Sequence, residues 1–242
     1  MTRPMPAAVT DVVATALGQQ HRDDPVRPRT GGPAGNAQLT AWLGLLLLVL
    51  FVTELVTVLD VNGLISWHIG IGVLLIPPSL AKTATTGWRL IRYYTKSDAY
   101  VVAGPPPLLL RLLGPLVVLG TLGVLGTGVL VTLLGTSSAF RPLVRVPGLA
   151  VSALTLHQAS FIVWAAATGL HVLARVVPAA RLAVPGRLRL PGHASRLVAV
   201  GLILVAAVAA VVLGLRLAHD WTSPDAFTGT FGSTGAVDGP PP

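Results

Sequence analysis

The chain alternates between long apolar runs and short polar intervals. Five apolar stretches, at about residues 42–59, 64–82, 108–134, 149–172 and 197–217, match or approach the roughly 20 helical residues that span a hydrocarbon core. Only Asp60-Val61-Asn62-Gly63 separates the first two, and that is a tight-turn signal. They therefore form an antiparallel hairpin. The pattern predicts an all-α membrane protein, a bundle of five transmembrane helices within residues 38–219. Residues 1–37 are rich in proline, glycine and charge and lack the apolar core of a signal peptide, which predicts a disordered tail. Residues 220–242 carry Asp220, Asp225 and Asp238 and end Gly-Pro-Pro-Pro, a second flexible tail.

Composition agrees with a bilayer. Charged residues make up 11% of the chain and hydrophobic residues 52%, with a mean hydropathy of +0.74. A soluble domain carries about a quarter charged residues, more than twice as many. The absence of cysteine removes thiolate nucleophiles, iron–sulfur clusters and sulfur-based zinc sites. The net charge of +8 does not point to nucleic acid, because the basic residues flank apolar runs instead of covering one soluble face. They report topology. With the amino terminus in the cytoplasm, only Arg141, Arg145 and Arg216 of the 17 basic residues fall on the outer side. The positive-inside rule then predicts a multi-pass plasma-membrane protein with a cytoplasmic amino terminus and an extracytoplasmic carboxyl terminus.

Ionisable groups inside spans are costly and therefore mark candidate sites. His157 and His171 on the fourth span are 14 positions apart, close to four helical turns, so both project from one face about 21 Å apart. Phe161, Trp164 and Thr168 fill the stripe between them. Such a face can carry axial haem ligands, since haem iron accepts a neutral imidazole nitrogen. The second and fourth spans run in the same direction, so depths compare directly. His68 lies about 6 Å into its span and His157 about 12 Å, which pairs them on one b-type haem. Gly70 and Gly72 beside His68 leave room for a flat macrocycle. The alternative is two histidines hydrogen-bonded across helices. Fourteen positions after His68 stands Lys82, so no imidazole faces His171. His171, with Lys82, Arg92 and Arg175, then lines a quinone or lipid-headgroup site, or ligates a second haem through an unidentified partner. Arg141 and Arg145 are either propionate partners, by bidentate pairing with carboxylates, or solvated loop charge. His219 is the reserve ligand should His68 fail. Glu54 is a proton-transfer group or a hydrogen-bonded structural carboxyl. The glycines of the third span read as helix packing.

The histidine pair on the fourth span, with a histidine on an earlier parallel span, resembles the b-type cytochromes of energy-converting membranes. That group includes cytochrome b-561 and the cytochrome b subunits of nickel hydrogenases and formate dehydrogenases. The resemblance covers roughly residues 40–217, with Lys82 departing from the pattern where a fourth histidine would stand. It implies a four-helix haem-binding core and an electron-transfer subunit. Such a subunit passes electrons through haem b between the quinone pool and an extracytoplasmic oxidoreductase. No nucleophile–base constellation suggests bond-making chemistry. The competing reading is a haem-free membrane anchor or scaffold for a partner oxidoreductase. A transporter has less beneath it, because Glu54 is the one acid well inside a span.

Overall fold

A computed structural model describes residues 10, 13, 14, 16, 17, 24–104, 108–183 and 190–223. Helix α1 spans Gly32–Val58. The second span is two helices, α2 (Ile65–Leu74) and α3 (Ile76–Tyr94), and is followed by the short α4 (Asp98–Val102). Helix α5 covers Leu108–Ala139. A hairpin of β1 (Pro142–Val146) and β2 (Leu149–Ser152) leads into α6 (Ala153–Ala183). Helix α7 spans His193–Leu217, and a single turn, α8 (His219–Thr222), follows it. Five of these segments are long and apolar enough to cross a membrane, with α2 and α3 counting as one. Large apolar side chains such as Leu119, Leu173 and Val205 stand exposed on the bundle exterior, the surface that lipid covers. This is a five-helix membrane bundle.

Four spans form the inner bundle, in the cyclic order α1, α2–α3, α5, α6. The tightest pairing is α5 with α6, and α7 packs outside the square against α2 and α3. Glycine explains the α5–α6 approach: a Cβ on Gly120 would meet the Trp164 backbone at 3.3 Å, and one on Gly123 would meet Ser160. Helices α2 and α6 occupy one diagonal, with scarcely any backbone approach between them.

The boundaries depart from the hydropathy reading in three places. Helix α1 begins ten residues before the apolar run, with Pro33 in its first turn, where a missing N–H costs nothing. Its polar residues are used rather than solvated. Asn36 Nδ2 donates to the Thr85 carbonyl at 3.1 Å, and Thr40 Oγ1 donates to Thr85 Oγ1 at 3.0 Å. Upstream, Asp24 accepts a bidentate pair from Arg89 at 2.8 and 3.0 Å, so residues 24–37 are tied to the bundle instead of forming a tail. Apart from residues 10, 13, 14, 16 and 17, the remainder of the expected amino-terminal tail lies outside the described residues, as does the carboxyl tail from residue 224.

The second difference is the β-hairpin. Residues 149–152, read as the start of a membrane span, are a strand instead. Pro147 and Gly148, the glycine at φ +79°, supply the two-residue turn. The Ser152 hydroxyl then accepts from the Thr155 N–H at 3.1 Å and caps α6. The third difference lies within the second span. Pro77 and Pro78 have no N–H to return to the preceding turn, and the helix is interrupted at Leu75.

The hairpin end of the bundle is closed by α8. Trp221 is buried, donates from Nε1 to the Val131 carbonyl at 3.2 Å, and packs with Ile69, Ala139, Ala153 and Ala218. Opposite it, Gly135 interrupts α5 at φ 69°, ψ 174°, a conformation essentially reserved for glycine, with the Asp220 carboxylate against it. Gly135→Ala is expected to lower stability by about 1–3 kcal/mol. Gly114→Ala, where an added Cβ meets open space, should leave the midpoint unchanged or slightly raised. Thermal unfolding of both variants in detergent micelles checks the contrast.

Candidate functional site

One turn into their helices, His68 on α2 and His157 on α6 face each other across the bundle diagonal. Their ring centres are 6.2 Å apart with an interplanar angle of 76°. Because α6 starts at Ala153 rather than at residue 149, His157 sits at nearly the same depth as His68, closer than hydropathy implied. Both rings are half-buried.

Each imidazole is held by a hydroxyl and a second oxygen. The Thr57 hydroxyl spends its proton on the Glu54 carbonyl at 2.6 Å, so its oxygen accepts from His68 Nδ1–H at 3.0 Å. Glu54 Oε1 lies 3.0 Å from the same nitrogen. Across the bundle, Thr127 Oγ1 donates to the Gly123 carbonyl at 2.6 Å and accepts from His157 Nδ1–H at 3.2 Å. The Val124 carbonyl, which can only accept, lies 3.1 Å from that nitrogen. Both clamps put the proton on Nδ1. In the neutral ring, Nε2 then carries the lone pair. Among the described residues, no hydrogen bond engages either Nε2.

Glycine sets the position of the second ring. A Cβ on Gly128 would meet His157 Cε1 at 3.1 Å and Nδ1 at 3.5 Å, so the imidazole occupies the space that this glycine leaves on α5. Gly70 and Gly72, expected to clear space for a macrocycle, do other things. Gly70 faces Val211 and Leu215 of α7, and Gly72 faces the Glu54 carboxylate. Below the histidines, Trp164 is buried with Nε1 donating to Thr121 Oγ1 at 3.1 Å, and Phe51 packs edge-on against it at 4.7 Å. Phe161 lies 6.0 Å from the same indole. The stripe between His157 and His171 is thus a packed aromatic layer, with Thr168 buried beyond it.

His171 lies at the opposite, basic end with Lys82 and Arg175 as its charged neighbours, and its Nδ1 is buried without a hydrogen-bond partner. The Lys82 ammonium donates to the Thr40 carbonyl at 3.2 Å. No ring contact joins His171 to another described histidine. Arg141 and Arg145 stand exposed on or beside β1, at the same end of the bundle as the histidine pair but without a contact to it. His219 is exposed on α8. The chain brings together Glu54, Thr57, His68, Thr127 and His157; it does not bring His171, Arg141 or Arg145 to them. Thr57 and Thr127 escaped the sequence reading, while Gly128, read with the other third-span glycines as helix packing, makes room for His157 on the neighbouring helix. A signal was present for Thr57, which lies 11 positions from His68 across a four-residue turn.

No protein-family model, curated protein or solved structure matches this chain.

Hydrogen bonds across membrane helices contribute about 0.6 kcal/mol on average and up to about 1.7. Thr57→Val is expected to lower stability within that range. Thr132→Val should cost nothing comparable, because that hydroxyl bonds only to the Gly128 carbonyl of its own helix. Unfolding of the two variants in mixed micelles tests the difference.

Proposed function

We propose that this protein is an electron-transfer membrane subunit that holds one b-type haem between His68 and His157. The observation that carries the reading is the paired geometry of the two rings. With metal–nitrogen bonds of about 2 Å on either side, two imidazoles on one ion have ring centres roughly 6 Å apart. The ring centres of His68 and His157 lie 6.2 Å apart. Metal-bound histidines donate their other ring N–H to a carboxylate or carbonyl, and His68 and His157 do so through Glu54, Thr57, Thr127 and the Val124 carbonyl.

The donor set favours haem over a bare ion. A bare ion needs three or four protein ligands, and the described residues contain no cluster of three or more His, Cys, Asp or Glu suited to one. A haem brings four nitrogens of its own, so His68 and His157 would be the residues to hold it and no further protein ligand would be needed. When bound, haem supplies one-electron chemistry. The chain's own residues fix the Nδ1–H tautomers, orient both rings and keep the site within an apolar bundle, which together set ligand basicity and potential. Arg141 and Arg145 sit at the end where propionates would emerge, and their guanidinium groups suit carboxylates.

On this reading electrons pass between the quinone pool and an extracytoplasmic oxidoreductase, as in the b-type cytochromes that the fourth-span pattern resembles. The distribution of arginine and lysine supports a plasma-membrane orientation with the amino terminus and basic end in the cytoplasm. His171 lacks a facing imidazole and stays outside the haem site.

Purified protein is expected to give a sharp Soret band and resolved α and β bands on dithionite reduction, with one haem per chain by pyridine haemochrome. His68→Ala and His157→Ala each abolish the spectrum, and His171→Ala leaves it intact. A colourless preparation after haem supplementation points to the anchor reading. Glu54→Gln and Thr127→Val keep both ligands but weaken haem retention about 10- to 100-fold, read by transfer to apomyoglobin.

A further inference from the structure

At the basic end of the bundle, the segment before α1, the first turns of α1, the ends of α3 and α4, and the start of α7 form an open cavity of about 340 Å³. Arg27, Trp88, Arg92, Ser97, Tyr100 and Arg196 contribute to its wall. Three guanidinium groups line it, and no carboxylate does among the described residues.

Two of these arginines are built into the wall. Arg196 is only 6% exposed. Its Nη1 donates to the carbonyls of Thr30 and Pro191, its Nη2 donates to that of Leu190, and its Nε is buried without a partner. Carbonyl oxygens take up its terminal nitrogens but carry no full charge to offset the guanidinium. Arg92 lies over the Trp88 ring at 5.5 Å, donates from Nη2 to Ser97 Oγ at 3.0 Å, and also buries Nε unpaired. The Asp24 carboxylate, which accepts from both terminal nitrogens of Arg89, is not part of the cavity wall. A buried cation without a counter-charge is expensive, and an anionic ligand removes that cost.

We propose that this cavity binds a phosphate group, and that its source is the headgroup of an anionic phospholipid. Guanidinium forks match phosphate oxygens in geometry and charge. The cavity lies at the ends of the spans, where headgroups lie, with Trp88 and Tyr100 in its wall as interfacial aromatics. Basic pockets between transmembrane helices hold phospholipid headgroups in this way. The site is separate from the histidine pair and stands or falls independently of haem.

The test uses full-length protein in a neutral detergent and phosphate-free buffer. Titration calorimetry with dioctanoyl phosphatidylglycerol is compared with dioctanoyl phosphatidylcholine and with inorganic phosphate. The expected result is saturable binding of phosphatidylglycerol and weaker binding of phosphatidylcholine. Arg27→Gln and Arg92→Gln each weaken phosphatidylglycerol binding about fivefold, whereas Arg216→Gln, an exposed arginine at the hairpin end, does not. Helicity and thermal midpoint, measured on the same samples, separate lost binding from lost folding. Inorganic phosphate that competes at the same concentration as the lipid keeps the phosphate site and makes its ligand soluble. Equal binding of both lipids, or unchanged affinity in both correctly folded pocket variants, overturns the proposal.

Discussion

Inside a hydrocarbon layer, an imidazole N–H must find an oxygen within the protein, because no water is there to accept it. The central architecture follows from meeting that demand twice. On one side, Thr57 and Glu54 of α1 accept from His68 across the first helical hairpin. On the other, Thr127 and the Val124 carbonyl of α5 accept from His157 across the tightest helix pair in the bundle. Each clamp joins neighbours along the edge of the square, so α2 and α6 need not touch to hold their rings in line.

The two ends of the bundle solve opposite problems. At the hairpin end, Trp221 and the alanines around it close the bundle over the histidines, and Ser152 caps the helix that carries His157. At the other end, the chain crowds cations together: Lys82 beside His171 and Arg175, and Arg89 locked to Asp24. There the polar side chains of Asn36, Thr40 and Thr85 extend helix contacts beyond the apolar run. A layer of Phe51, Phe161 and Trp164 separates the two regimes.

The spans and the histidine pairing were legible because both depend on periodicity. Apolar length finds a helix that lipid surrounds, and a 3.6-residue turn puts His68 and His157 at matching depths. What escaped depends on contacts between segments distant in sequence. Hydropathy does not register residues 32–41, whose helix is held by Asn36 and Thr40 rather than by lipid. It also reads residues 149–152 as membrane, because an apolar strand and an apolar helix look alike over four residues. The roles given to Gly70 and Gly72 failed for a related reason. Proximity in sequence put them beside His68, but a glycine serves whichever helix its face meets, and those faces meet α7 and Glu54. The glycine that does make room for an imidazole, Gly128, sits on a different span 60 positions away from His68.

The tautomer of each ring bears most directly on what the pair is for. A structural histidine pair in a membrane bundle would gain most by bonding one ring to the other, the N–H of one donating to the lone pair of its partner. This chain directs both Nδ1 protons to other oxygens instead. In the neutral rings each Nε2 then keeps its lone pair, and neither ring can donate to the other through its bound proton. That arrangement wastes hydrogen-bonding capacity in a medium where unpaired polar groups are costly. On the proposed haem reading, the hydroxyls of Thr57 and Thr127 matter as much as the histidines, because by accepting the Nδ1 protons they would leave Nε2 of each ring free to act as a ligand atom.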